Sequence, residues 1–550
     1  MTTVSFTPPR PFYYLWHLIA LGVITADFGP ADANGEFDIA SPDITGTAWD
    51  AIQAAHPNAS APARIAMIDI GASRKHPNLK NRIDADLSLD LVSHPYGSRT
   101  VVDPAATTFG PEAKHAFFAG LTTAGLGALG MSAAENAYLS SLVTELAASE
   151  GVIRTLADVD ETFGSHGTGA AGLAVAEPAI LGGGLPSDPA VILSEGADTA
   201  LSSNANVLPY FGVDPFSLLV SIRTGFAQNA DQFIAAFLYA WKSGADVILL
   251  PRGIPDPVRG ALVPKPELSS NLNDRHNWER ADLFARLEEA TTGELTPLAV
   301  GKVANRDLPW NVLAKLIVAI SRKIPVVCAA GNDGESQLIY PANQAAANNG
   351  IIAVGAVTAK GYRSGYSNYG AGLTLVAPSD DGEVYTRHQM RIDRTNPMVG
   401  LHAYDPGRGA VVPHSHLSLL TTDLPGSFGY AEGSGPHSSV FPPLENPGYG
   451  GGYYTSFGGT SGAAALVAGV AALISRAHKA KHGPAAKLNG TASKAALVAA
   501  SHQQAVVLPG AGVLTPDPMN ADDEPSKGST YYFGAGLLNA GQAVDAVLAS

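Results

Sequence analysis

Residues 217–250 read SLLVSIRTGFAQNADQFIAAFLYAWKSGADVILL, and the fold is decided here. The apolar runs at 217–222 (SLLVSI) and 246–250 (DVILL) have the length and continuity of strands buried on both faces. Between them Phe233, Phe237 and Trp241 recur at i, i+4 and i+8, and Ile234 and Leu238 widen the same stripe into the apolar face of a helix. Gly244 stops it. Upstream, 64–69 (RIAMID) is a further strand, and downstream 312–322 followed by 325–329 (PVVCA) repeats helix and strand. Strand, helix and strand in alternation predict an α/β fold: a mostly parallel sheet flanked by helices on both faces.

Composition narrows what such a fold can do. The chain has 550 residues, 46% hydrophobic and 15% charged, which suits a large packed core and excludes the signature of a disordered chain. Its 34 Lys and Arg against 49 Asp and Glu give a net charge of -15, which argues against nucleic acid or an anionic membrane surface as partner. The single cysteine, Cys328, allows no intramolecular disulfide, so a cytoplasmic location is expected, with secretion or the periplasm as the alternative. The run 12–26 resembles a signal-peptide core but contains His17 and is preceded by Arg10 as its basic residue. The apolar stretch 116–131 is Gly-rich and shorter than the roughly 18 residues of a spanning helix, so no membrane span is expected.

Polar or Gly/Pro-rich stretches at 181–189, 255–308 and 379–459 interrupt the alternation. Loops this long in a compact domain usually carry function. Residues 112–150 are instead Ala- and Leu-rich and predict one or two inserted helices.

Four local blocks carry chemistry. Asp69 ends a buried strand in IAMIDIGASRKHPNL, and His166 lies in GSHGTGAAGLA, where small residues let a backbone approach closely as a helix begins. Ser461 stands in SFGGTSGAAALVAGVAALISRA, at the start of an Ala-rich helix whose N-terminal N–H groups and dipole favour negative charge. Asn332 follows a strand in VVCAAGNDGESQLIYPA. Read singly, each has a plainer explanation: a turn cap, a structural histidine, an N-cap and a turn residue.

Together, in this chain order, the four blocks resemble the subtilase family of serine peptidases. The likeness lies in D-x-G followed by HP-x-L, in HGT-x-x-AG, in GTS-x-A and in AAGN, with further similarity at 352–356 (IAVGA), 366–368 (YSN), 376–378 (VAP) and 533–540 (FGAGLLNA). Trp16-His17-Leu18 with DITGTAWD from Asp43 is similar to the start of a kexin- or subtilisin-like catalytic domain. The resemblance implies a subtilisin-like fold in which a segment 1–60 packs on a peptidase domain 61–550 with insertions at about 104–150, 255–308 and 379–455. It implies a serine endopeptidase acting on protein or peptide substrates, with Asp69, His166 and Ser461 as triad and Asn332 in the oxyanion hole. A catalytically silent binding scaffold and a self-processing or acyl-transferring enzyme are the alternatives.

Departures from the family pattern mark where this chain is its own. Pro251-Arg252-Gly253 replaces a Ser-Leu-Gly or Ser-Trp-Gly stretch that lines the substrate cleft, so Arg252 and Gly253 are expected at the substrate. Arg252 either pairs with an acidic substrate side chain or points to solvent with its stem over a helix. Asp333 is expected near the S1 rim, favouring a basic residue there. Ala465 and Leu466 stand in place of the family's proline and histidine, and His76, in the HP-x-L position, is expected to be structural. No cofactor and no specific metal ligand are expected. Structural calcium is compatible with the family, and His414 and His416, an isolated pair in a long polar loop, read as solvent-facing side chains rather than zinc ligands. The segment before the Asp69 block resembles mature sequence, so either no prodomain is needed or control lies elsewhere: in a regulatory partner protein, or in the 379–459 stretch covering the cleft.

Overall fold

The computed structural model describes residues 15–33, 35, 37, 42–58, 61–92 apart from 75, 113–149, 151–153, 164–178, 210–256 apart from 226–228, 308–380, 419–426, 430, 452–516 and 525–550. Residues 257–307, 381–418 and 431–451 fall outside these, and with them most of two expected insertions and both His414 and His416.

Among the described residues nine strands form one sheet: β1 (Arg64–Asp69), β2 (Leu89–Asp90), β3 (Leu218–Arg223), β4 (Val247–Leu250), β5 (Val326–Ala329), β6 (Ile351–Val357), β7 (Leu375–Pro378), β8 (Ser501–His502) and β9 (Leu537–Leu538). They lie in the order β8-β9-β7-β6-β5-β4-β1-β3-β2, all parallel except the edge pair of β8 with β9. Consecutive residues of β1, β3 and β4 are buried, and side chains alternate across a strand, so both faces of the sheet are covered. Two helix pairs cover it: α1 (Gly164–Val175) against α4 (Gly459–His482), and α2 (Ala230–Lys242) against α3 (Leu308–Ser321).

Strand order decides where a site can form. From β1 the chain leaves toward β2 and β3 on one side, whereas from β4, the other neighbour of β1, it leaves toward β5 on the opposite side. Divergent connections at neighbouring strand ends open a crevice at their carboxyl ends. Asp69 and Pro251 stand at that crevice.

The expected elements are present with shifted ends. β3 begins at Leu218 because Ser217 belongs to the preceding turn, its hydroxyl donating to Asp214 at 2.6 Å. Helix α3 starts at Leu308, ahead of the expected 312. Among its described residues the Ala-rich insertion holds one helix, Ala133–Ala148, begun by a reciprocal Ser132–Glu135 capping box. The 379–459 stretch, read as loop, contains an antiparallel pair, Leu419–Gly426 with Gly452–Phe457. Thr421 and Thr422 donate to the carbonyls of Gly169 and Thr168, which fastens this pair to α1. Among the described residues α4 alone is long and apolar enough to cross a membrane, and that apolar window is wholly buried inside the fold.

The N-terminal residues seat on the same body. Trp49 donates its indole N–H to Val213 O at 2.8 Å and stacks on Phe211, while Ala540 N–H reaches Leu21 O at 2.6 Å. His17 is fully buried beside Trp16, and among the described residues neither of its ring nitrogens has a partner, so burial holds its pKa down to about 3. A pKa lower in the folded than in the unfolded chain means the unfolded chain binds the proton more readily between about pH 6.5 and 3. His17 should therefore remove about 1.4 kcal/mol of stability for each unit of acidification in that window and nothing above it. Urea midpoints of wild type and His17→Leu at pH 7 and pH 5 test this: the gap should shift in favour of leucine by about 2 kcal/mol on acidification. An unchanged gap would show that His17 does not carry the acid sensitivity.

Candidate active site

Asp69 closes β1 and His166 lies in the first turn of α1, its Nδ1 2.7 Å from Asp69 Oδ2. A carboxylate can only accept, so Nδ1 carries the proton and Nε2 is the basic nitrogen. The histidine side chain is 22% exposed and the carboxylate 1%, so the imidazole is open to the crevice and the carboxylate is not. The helix approaches this closely because position 167 has no side chain: a β-carbon there would fall 1.9 Å from Gly71 O. Phe457 closes the far side, its ring 5.3 Å from the imidazole.

Ser461 is in the first turn of α4, after a bend in which Gly459 has φ +70°, a conformation other residues adopt at a cost. Its Oγ donates to Pro251 O at 2.8 Å. β1 and β4 pair Met67 with Leu249, and continuing that register sets Pro251 beside Asp69. The serine hydroxyl is thus held at the end of β4, beside the end of β1 that carries Asp69.

The first N–H groups of a helix lack partners within it. Here Gly459 N–H goes to Tyr366 Oη at 3.1 Å, Thr460 N–H to Asn332 Oδ1 at 2.8 Å and Gly462 N–H to Gly458 O. Among the described residues none accepts from Ser461 N–H. The Thr460 bond also settles the orientation of Asn332: a backbone N–H must donate, so the amide faces it with oxygen and presents its NH2 at the other end. Thr460 Oγ1 adds a second bond to Asn332 Oδ1 at 2.9 Å and accepts from Gly331 N–H at 3.1 Å.

The remaining candidates scatter around this centre. Arg252, half-buried, donates Nη1–H to Gly225 O at 3.3 Å, and its guanidinium carbon lies 5.9 Å from the centre of the Phe233 ring. A β-carbon on Gly253 would press to 3.1 Å from Ile339 Cδ1. Asp333 sits in a turn organised by Asn368, whose Oδ1 accepts from its N–H at 2.8 Å. His76 is buried edge-on to Tyr454, and its Nδ1 accepts from Asn78 N–H. Among the described residues no group of three or more His, Cys, Asp or Glu is placed to hold a metal ion.

Sequence reasoning did not single out Pro251 O, Thr460, Tyr366 or Phe457 as parts of the site. Thr460 and Tyr366 stand inside quoted motifs, which was the available signal. That Tyr366 reaches across 93 residues to Gly459 depends on the strand order.

Comparison with known proteins places the chain. The family model described as the Subtilase family matches residues 62–536. Over 60 residues the chain is 48% identical to subtilisin BL of Lederbergia lenta, which is 11% of this chain and 21% of that protein. Over 108 residues it is 33% identical to the extracellular serine proteinase of Thermus sp. (strain Rt41A), 20% of this chain and 25% of that one. The chain thus spans about a fifth to a quarter of the length of these curated relatives. Among solved structures, the epidermin leader peptide processing serine protease of Staphylococcus aureus is similar at a TM-score of 0.46 and 16% identity, over 98% of this chain and 82% of that one. A lanthipeptide protease is similar at 0.43 and 16%, over 99% of each chain.

Proposed function

This chain belongs to the subtilase family of serine peptidases, and from that premise we propose that it is an endopeptidase acting through an acyl-enzyme on Ser461. In this reading Ser461 Oγ attacks the scissile carbonyl while His166 Nε2 takes its proton. The C–O bond forms as the carbonyl π electrons move to oxygen, and that oxyanion is held by Ser461 N–H and the NH2 of Asn332. Collapse expels the amine, which takes the proton from His166. Water then repeats the cycle on the acyl group, releasing the acid and the free serine. Asp69 keeps the proton on Nδ1 throughout. Ser461 Oγ must leave Pro251 O for the imidazole when substrate binds, and such bonds commonly tighten only in the complex.

The observation carrying this reading is the buried Asp69 carboxylate 2.7 Å from Nδ1 of an open imidazole, one strand from the serine hydroxyl. A polypeptide substrate in extended form would run along 251–253, with Gly253 admitting its backbone and Asp333 at the rim. A fluorophosphonate probe should label Ser461 and should fail to label Ser461→Ala. Labelling that survives the substitution, or maps to another residue, would remove the reading.

Asn332 allows a sharper test. Asn332→Asp keeps an oxygen for Thr460 N–H but replaces the donating NH2 with an anion, whereas Asn332→Leu removes both ends. Both should lower kcat by about 100- to 1000-fold or more with KM little changed, the aspartate variant being the slower. If Asn332→Asp kept wild-type kcat, the amide would have no part in holding the oxyanion.

A further inference from the structure

Arg252 crosses the end of the strand that carries Asp69. It follows β4, and its Nη1 reaches the carbonyl of Gly225, which follows β3. These strands are not neighbours, for β1 lies between them. Adjacent strands are about 4.8 Å apart, so the side chain spans about two such spacings. The register sets Asp69 beside Arg223 and, continued outward, sets Gly225 beside Gly71. The guanidinium therefore passes directly beyond Asp69, braced by the Phe233 ring of α2.

From this geometry, and resting on the proposed triad, we infer that Arg252 is a positioning residue whose fixed positive charge at the end of β1 lowers the pKa of His166 and extends peptidase activity to lower pH. A nearby cation stabilises the Asp69 carboxylate and opposes formation of the imidazolium. Partial burial weakens solvent screening of that charge. The interaction is felt in return by Arg252, whose pKa burial lowers and Asp69 raises.

Other charged groups around the pair do not supply this effect. Arg223 lies beside Asp69, but its Nη1 is 2.9 Å from Asp90, so its charge is balanced by an equally buried carboxylate. Helix α1 brings no charged side chain besides His166, and α4 brings none in its first turns. Among the described residues, Asp423 on the strand fastened to α1, Asp380 against Gly458 and Asp333 beyond Asn332 are acids on the elements that surround the site. They are unchanged by substitution at 252, so whatever they contribute cancels from a difference between variants.

The test is the pH profile of kcat/KM on an uncharged peptide for wild type, Arg252→Gln, Arg252→Met and Arg252→Lys, each normalised to sites titrated with fluorophosphonate. The acid limb should move up by about half a unit in the two neutral variants and stay near wild type in the lysine variant. Methionine keeps an apolar stem on Phe233, so one neutral variant remains to be read if glutamine impairs folding. Unmoved acid limbs in the neutral variants would overturn the inference, as would a lysine variant shifted as far as they are. So would a changed preference for acidic substrate side chains with the limb in place, which would make Arg252 a substrate-reading residue. Loss of Ser461 labelling in wild type would instead strike the triad itself, so the two failures are distinguishable.

Discussion

Ser461→Ala is expected to lower kcat on a peptide substrate by about a millionfold while leaving the urea midpoint nearly unchanged. Without the hydroxyl no acyl-enzyme can form, and His166 has no nucleophile to activate. A residual acceleration of about a thousandfold over water should survive, because Ser461 N–H and Asn332 would still meet the oxyanion. Stability should hardly move: the hydrogen bond to Pro251 O is worth about 1 kcal/mol, and alanine recovers part of that as the better helix former. The contrast between a large kinetic loss and a small thermodynamic one is what marks a residue doing chemistry. Single-turnover rates and urea denaturation on one preparation check both halves. A variant within tenfold of wild type would mean that turnover bypasses Ser461.

The fold was readable in the sequence where one signal dominates. In 217–250 the pattern passes from continuous apolar runs to a 3.6-residue stripe and back, and only a helix between two buried strands satisfies that. Strand ends were less readable because Ser217 is as compatible with a strand as with the turn it makes with Asp214. The pair 419–426 and 452–457 was hidden for a different reason. Its inward-facing Thr421 and Thr422 are polar and satisfy carbonyls of α1, so hydropathy scores a buried strand as loop. The four chemical blocks were visible as motifs, through resemblance and chain order. What joins them was not: Arg252 over the end of β1, Tyr366 on Gly459 and Asn332 on Thr460 are consequences of which strands lie side by side, and one chain read alone carries no record of that order.

Asp69→Asn is expected to lower kcat by about 10,000-fold with little change in KM. Asparagine is isosteric with aspartate, and the backbone bond from Thr224 N–H to Asp69 O at 2.7 Å is independent of the side chain, so the strand end should keep its shape. The loss is electronic and tautomeric. A neutral amide can present either its oxygen or its NH2 to His166 Nδ1. If NH2 faces the ring, Nδ1 must accept, the proton moves to Nε2 and the base facing Ser461 is gone. If oxygen faces the ring the tautomer survives, but the imidazolium formed during attack loses its buried counter-charge, and at 1% exposure water cannot replace it. Both routes slow any reaction needing a basic Nε2, so fluorophosphonate labelling of Ser461 should fall alongside peptide turnover while substrate binding holds. Parallel loss in the two rates is the expected signature. Wild-type labelling with turnover alone impaired would place the role of Asp69 after nucleophilic attack, contrary to the 2.7 Å contact from which that role is argued.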